Sequence, residues 1–196
     1  MSGFSRSPGG RRSRDSSRYI ARFTAQEAGV LRDLAGQVAE LISATAEGTE
    51  RGDGGATGMG ETAIEDLLGI TEHRRPPDDP VLARLLPDAY SGDEDAAGEF
   101  RRYTERDLRD GKAAAAQTVL DTLPERGGRV TLTEDQAHTW LRALNDVRLA
   151  LGVRLEVTEQ VHEEMARMDP ADPRYGPLTI YDWLTAVQES LVAALS

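Results

Sequence analysis

The stretch Arg129-Val-Thr-Leu-Thr-Glu-Asp-Gln-Ala-His-Thr-Trp-Leu-Arg-Ala-Leu-Asn-Asp-Val-Arg-Leu-Ala-Leu151 decides the fold. It opens as a short strand, Arg129–Leu132. Thr133, with Gln136 three residues later, then forms a capping box, in which each side chain satisfies the other residue's free backbone N–H. Trp140, Leu141, Leu144, Val147 and Leu151 follow at helical spacing and form one apolar face. The same design stands near the N-terminus. Tyr19, Ala21 and Phe23 alternate with Ile20 and Arg22 as in a strand, and Thr24 with Glu27 caps a helix from Ala25 to about Ala46. Leu31, Leu34, Val38 and Leu41 form its stripe. The shared pattern predicts two strands that pair as a small sheet, with their helices packed beside it; a two-stranded sheet is marginal without such packing.

Outward from these two units the chain is helical. Asp79-Pro80 is an N-cap followed by a first-turn proline, and Val81, Leu82, Leu85 and Leu86 supply an apolar face. Ser91 or Asp93 caps a long helix whose face is read as Ala97, Phe100, Tyr103, Thr104 and Leu108, continuing through Ala115, Ala116, Val119, Leu120 and Leu123. Gly111 offers a point at which that helix bends or divides. Thr158–Met168 is a short helix. The last helix begins near Thr179 and presents Ile180, Leu184, Val187, Leu191 and Leu195. The expected architecture is mostly α: one helical domain over 18–196, five to seven helices and a two-stranded β element. Residues 1–17, rich in Ser, Gly and Arg, read as a disordered basic arm. Residues 47–78, crowded with glycines and acids, read as a flexible linker within the domain.

Composition limits the chemistry. The 196 residues include no cysteine, which excludes disulfides, thiolate metal sites and thiol nucleophiles. No apolar run reaches bilayer length and no signal-peptide core is present, so the expectation is a soluble, cytoplasmic protein. The net charge is −11 but unevenly spread. Residues 1–23 hold six arginines against Asp15, a local +5, so the other 173 residues carry −16. The arm with Arg11, Arg12 and Arg14 is the expected route to DNA or an acidic partner, against the blander reading of a solvated tail. Of the 23 basic residues 22 are arginine, and Lys112 is the single lysine.

No catalytic constellation, cofactor loop or metal site is expected. His162-Glu163-Glu164 begins like a zinc motif, but Ala166 stands where the second ligand belongs. Asp93–Gly98 resembles half a calcium loop, but Thr104 replaces the bidentate glutamate. The candidates for anion or partner binding are arginines. Arg102, Arg106 and Arg109 recur on one helical face, extended by Lys112; Glu99, Glu105 and Asp110 lie within reach and offer the competing reading of a salt-bridged face. Arg84 sits within the compact Leu82–Leu86 segment and is either a further anion contact or one half of a structural pair.

Three segments also carry a resemblance: Asp79-Pro-Val-Leu-Ala-Arg-Leu-Leu-Pro-Asp-Ala-Tyr90 with Glu99-Phe-Arg-Arg-Tyr-Thr104; Trp140-Leu-Arg-Ala-Leu-Asn-Asp-Val-Arg148 with Leu151-Gly152; and Tyr181-Asp-Trp-Leu184. Together they are similar to an actinobacterial family of unknown function, encoded beside the ClpS adaptor, that includes oxidative-stress transcription regulators of the AosR type. The resemblance implies a non-enzymatic regulatory or interaction protein that works with the transcription machinery. The alternative it implies is an adaptor or scaffold linked to Clp proteolysis. A third reading is an enzyme with a site assembled from scattered acids and arginines. The thiol-based sensing ascribed to AosR-type members has no cysteine to act through in this sequence.

Overall fold

The computed structural model describes residues 2–7, 17–49, 79–87 and 94–196. The elements run β1 (Ser5–Ser7), β2 (Arg18–Phe23), α1 (Ala25–Thr49), α2 (Pro80–Leu85), α3 (Glu94–Thr122), β3 (Gly128–Leu132), α4 (Glu134–Arg154), α5 (Val161–Arg167) and α6 (Tyr175–Leu195). The mostly helical domain is therefore as expected, with six helices among the described residues.

Both predicted capping boxes are present. Thr24 N donates to Glu27 Oε2 at 2.7 Å and Glu27 N to Thr24 Oγ1 at 3.2 Å. Thr133 N donates to Gln136 Oε1 at 3.0 Å and Gln136 N to Thr133 Oγ1 at 3.2 Å. Asp79 caps α2 by accepting from Val81 N and Leu82 N. Residues 88–93, with the caps suggested for the long helix, lie outside the described residues, as do 50–78 of the expected linker; α1 itself continues to Thr49. The last helix starts one turn before Thr179, at Tyr175, and α3 runs through Gly111 without a break.

The two strands pair as expected, and the pairing is antiparallel, from Tyr19 opposite Leu132 to Phe23 opposite Gly128. A third strand corrects the two-stranded expectation. β1 pairs antiparallel with β2, Ser5 opposite Ile20 and Ser7 opposite Arg18, which makes the order β1-β2-β3. This strand lies inside the stretch read as a disordered arm over 1–17, so Ser2–Ser7 is ordered; 8–16 lie outside the described residues. Phe4 is the reason. It is buried and meets Phe23 and Trp140 edge-on, with ring centroids 6.1 and 5.5 Å away. Phe4 N also donates to Ser190 Oγ at 2.9 Å, which ties the chain start to α6.

The inward side of the sheet carries Tyr19, Ala21, Phe23, Val130 and Leu132, all buried. Behind it lies α4, which packs against α1, α2, α3 and α6 as well as β2 and β3. Trp140 on α4 is fully buried, and its Nε1 donates to Thr122 Oγ1 at 2.8 Å, so the indole N–H is not left unpaired. The turn into β3 depends on Gly127. Its φ is +71°, and a Cβ there would stand 2.5 Å from the Thr24 carbonyl carbon, where the cap of α1 passes. Helix α1 buries Ala28, Leu31, Ala35, Val38 and Ile42, while Leu34 and Leu41 are only partly covered. The stripe is thus rotated slightly from the leucine pattern, because small alanines face inward.

Replacing Phe4 removes a buried ring and two edge contacts. Phe4→Ala is expected to cost about 3 kcal/mol in urea unfolding and to expose β1 to amide exchange. Wild-type stability in this variant would show that the N-terminal strand is not anchored through the core.

Candidate functional site

The predicted arginine face separates when the side chains are placed. Arg106 is exposed on α3, but one turn on, Arg109 is buried beside Glu105. Its Nη2 and Nε donate to Glu105 Oε1 at 2.6 and 2.8 Å, and its Nη1 donates to the Ile42 carbonyl of α1 at 3.0 Å. The guanidinium fork thus joins α1 to α3 across a desolvated contact. The Arg102 side chain lies outside the described part of α3. Arg84 is exposed on α2, which packs against α4. The structure does not gather Arg84, Arg106 and Arg109 into one described surface.

The inward turn of Glu105 and Arg109 corrects the reading of the apolar face. Tyr103 is 55 % and Leu108 42 % exposed, whereas Ala115, Ala116, Val119 and Leu123 farther along are buried as expected. A paired charge that reaches a neighbouring helix occupies the position that a periodicity argument assigns to leucine.

Between α3, α4 and α6 lies a cavity of about 570 Å³. Its base holds the chain's single lysine. Lys112 Nζ lies 2.6 Å from Asp146 Oδ1, and Asp146 is buried on α4. Leu108 and Val192, 42 % and 44 % exposed, stand at its walls with Leu141 and Gln188. Burial pushes the Asp146 carboxyl above its usual range, because water no longer stabilises its charge; the hydrogen bond and charge of Lys112 act the other way. A volume of this size falls in the range of small-molecule pockets, and its lining mixes apolar Leu108, Leu141 and Val192 with the charged Asp107 and Arg142.

Sequence reasoning missed Asp146. Its partner lies on another helix, 34 residues away, and no local spacing signals such a pair. It also missed Arg32, whose Nη1 donates to the carbonyls of Leu120 and Leu123 at 2.7 and 2.9 Å. There a cation closes the C-terminal end of α3, where unpaired carbonyls concentrate negative potential. His162 stands 3.6 Å from Asp182, both well exposed, and His138 Nδ1 sits 3.0 Å from the Glu134 carbonyl. Among the described residues no group of three or more His, Asp or Glu side chains is placed to hold a metal ion, and no helix is long and apolar enough to cross a membrane.

Fold and cavity together describe a small helical domain built on a sheet, with a partly apolar groove and buried ion pairs at its helix contacts. A family described as a domain of unknown function (DUF2017) matches residues 1–195, and the chain belongs to it. Proteins named oxidative stress regulator AosR, from Mycobacterium bovis and Mycobacterium tuberculosis, are 35% identical over 196 residues, covering 93% of this chain and 84% of theirs. A protein named putative oxidative stress regulator AosR from Mycobacterium leprae is 40% identical over 146 residues, covering 67% of this chain and 66% of its own length. No solved structure matches the chain.

Two substitutions separate the roles of these pairs. Glu105→Ala leaves Arg109 buried without its partner and is expected to cost about 3 kcal/mol; a loss near zero in chemical denaturation would show that the pair is solvated. Asp146 titrates the other way from a stabilising salt-bridged carboxylate. Its raised folded pKa means that its contribution is most favourable below the unfolded value and is lost as pH rises through the folded one. The stability of Asp146→Asn relative to wild type is therefore expected to improve from about pH 3 upward and then level off. A relative stability that falls over the same range would show that Lys112 outweighs burial.

Proposed function

We propose that this protein is a non-enzymatic regulator that acts on transcription by binding a macromolecular partner. One observation carries the reading: 35% identity extending over 93% of the chain to proteins named as oxidative stress regulators. The arrangement of charge supports it. Arg11, Arg12 and Arg14 fall in the connection between β1 and β2, so both ends of that basic segment are held on the sheet of an otherwise acidic domain. A basic stretch of sequence in an otherwise acidic chain directs association with anionic partners to one place. Regulation in this chain works without cysteine chemistry, so a response to oxidant would use partner exchange or methionine oxidation rather than a disulfide. No feature of the described residues favours the Clp-linked adaptor.

Affinity purification of the full chain from its host, with RNA polymerase subunits and promoter DNA as the tracked species, tests the proposal. Enrichment of these over a tag-only control is the expected result. Enrichment of Clp subunits in their place, or turnover of a metabolite by the purified protein, would overturn it.

A further inference from the structure

The outward side of the sheet is a cationic surface on this acidic protein. Along β2 the residues alternate, so Tyr19, Ala21 and Phe23 go to the core while Arg18, Ile20 and Arg22 face out; β3 places Arg129 and Thr131 on the same side. β1 adds Ser5 opposite Ile20 and Ser7 opposite Arg18. This face therefore holds three arginines, three hydroxyl side chains and one isoleucine, and no carboxylate. Among the described residues no acid pairs with Arg18, Arg22 or Arg129. The rest of the chain, by contrast, brings the net charge to −11.

The register makes the arrangement costly. Arg22 lies directly opposite Arg129, and like charges at directly opposed positions of antiparallel strands destabilise the pair. Protection of a sheet edge accounts for Arg129, on the edge strand β3, but not for Arg18, which lies on the central strand opposite Ser7 of β1. An anion lying across the two strands would turn that repulsion into two attractive contacts. Arg18 stands four residues from Arg22 along β2, about 13 Å, an axial length over which each strand of a duplex carries about four charges. The segment with Arg11, Arg12 and Arg14 joins β1 to β2 and is held at both ends of this same hairpin.

We propose that the outward face of the sheet, through Arg18, Arg22 and Arg129, is a binding surface for the phosphate backbone of a nucleic-acid duplex. The proposal builds on the regulatory reading above and names the class of partner and the residues. A duplex is favoured over an acidic protein segment because its dense line of phosphates holds condensed counterions, and their release drives binding. An acidic peptide supplies no comparable release to offset repulsion from the acidic body. The face carries no aromatic side chain on which a base could stack, so it contacts backbone and not unpaired bases. Arg6, on the other side of β1, is occupied by Ser17 Oγ at 3.0 Å and is not part of the surface.

Fluorescence anisotropy of the full chain with a labelled duplex of about 20 base pairs, titrated at roughly 50 to 200 mM salt, tests this. All three side chains are exposed or at strand positions that leave the core untouched, so the variants fold. The double variant Arg22→Ala/Arg129→Ala is expected to bind about tenfold more weakly at low salt and to lower the slope of log affinity against log salt by about two. Arg22→Lys/Arg129→Lys keeps the slope, since a phosphate contact needs the charge and not the fork. Arg174→Ala, outside the sheet, leaves binding unchanged. If the double alanine variant binds like wild type while Arg11→Ala/Arg12→Ala/Arg14→Ala abolishes binding, the sheet proposal is overturned and the basic segment alone is the contact. Competition by polyglutamate at the same charge concentration as unlabelled duplex would overturn it in favour of an acidic protein partner. Absence of wild-type binding would overturn it too, leaving the regulatory reading to the purification experiment, which does not depend on the sheet.

Discussion

The domain is organised by the burial of Trp140. The indole lies within 6.0 Å of Phe23 and 5.5 Å of Phe4, and Phe23 in turn meets Trp183 of α6 at 6.4 Å. Four elements distant in sequence thus converge on one aromatic cluster: the chain start, the central strand, the central helix and the last helix. Edge-on and tilted pairs of this kind add about 1 kcal/mol each to the area they bury. Their greater consequence is geometric, since rings of this size fix the spacing between sheet and helix. The hydrogen bond from Trp140 to Thr122 then sets the end of α3 against the middle of α4. A three-stranded sheet with strands this short would not persist alone; it persists because its inward face closes over this cluster.

A second constraint is ionic and local to helix contacts. Arg109 and Glu105 are buried between α1 and α3, and Asp146 between α3 and α4 with Lys112. Removing two charges from water costs several kcal/mol, recovered only when geometry and extra hydrogen bonds are good. Arg109 meets that condition, since it bonds both the carboxylate and the Ile42 carbonyl. Asp146 has the single Lys112 ammonium as its partner, and burial pushes its carboxyl above the usual range. The two pairs on α3 therefore differ in kind: one fixes the helix against α1, while the other sits under an open groove where water or a ligand alters its balance.

This difference explains what was legible in the sequence. Capping boxes at Thr24 and Thr133 rest on hydrogen bonds between residues three apart, so the residue types alone announce them. The strands β2 and β3 follow from alternation that places Tyr19, Phe23, Val130 and Leu132 on one side; that they run antiparallel was not written in that pattern. β1 carried no such signal. Ser5-Arg6-Ser7 is polar throughout, and the residue that holds it in place, Phe4, precedes the strand and acts through rings contributed by β2 and α4. The front half of α3 was misread for a related reason. Periodicity arguments send charge outward, and they fail where an arginine finds a carboxylate on its own helix and a carbonyl on the next. Arg84, Arg102, Arg106 and Arg109 looked alike as letters; what separates them is the partner each can reach.

The same distinction sorts the described arginines. An arginine that touches a carboxylate or a helix end already has its anion: Arg109 has Glu105, Arg32 has the carbonyls closing α3, Arg167 has Glu163. Such residues answer to stability. An arginine held by β-sheet register opposite another arginine, as Arg22 is opposite Arg129, finds no anion among the described residues. In a domain so rich in carboxylates, cations left unpaired at fixed positions mark where the charge of a second molecule fits. What distinguishes Arg22 and Arg129 among the described arginines is that the register of β2 against β3 fixes them opposite each other on the outward face, so that one anion can meet both.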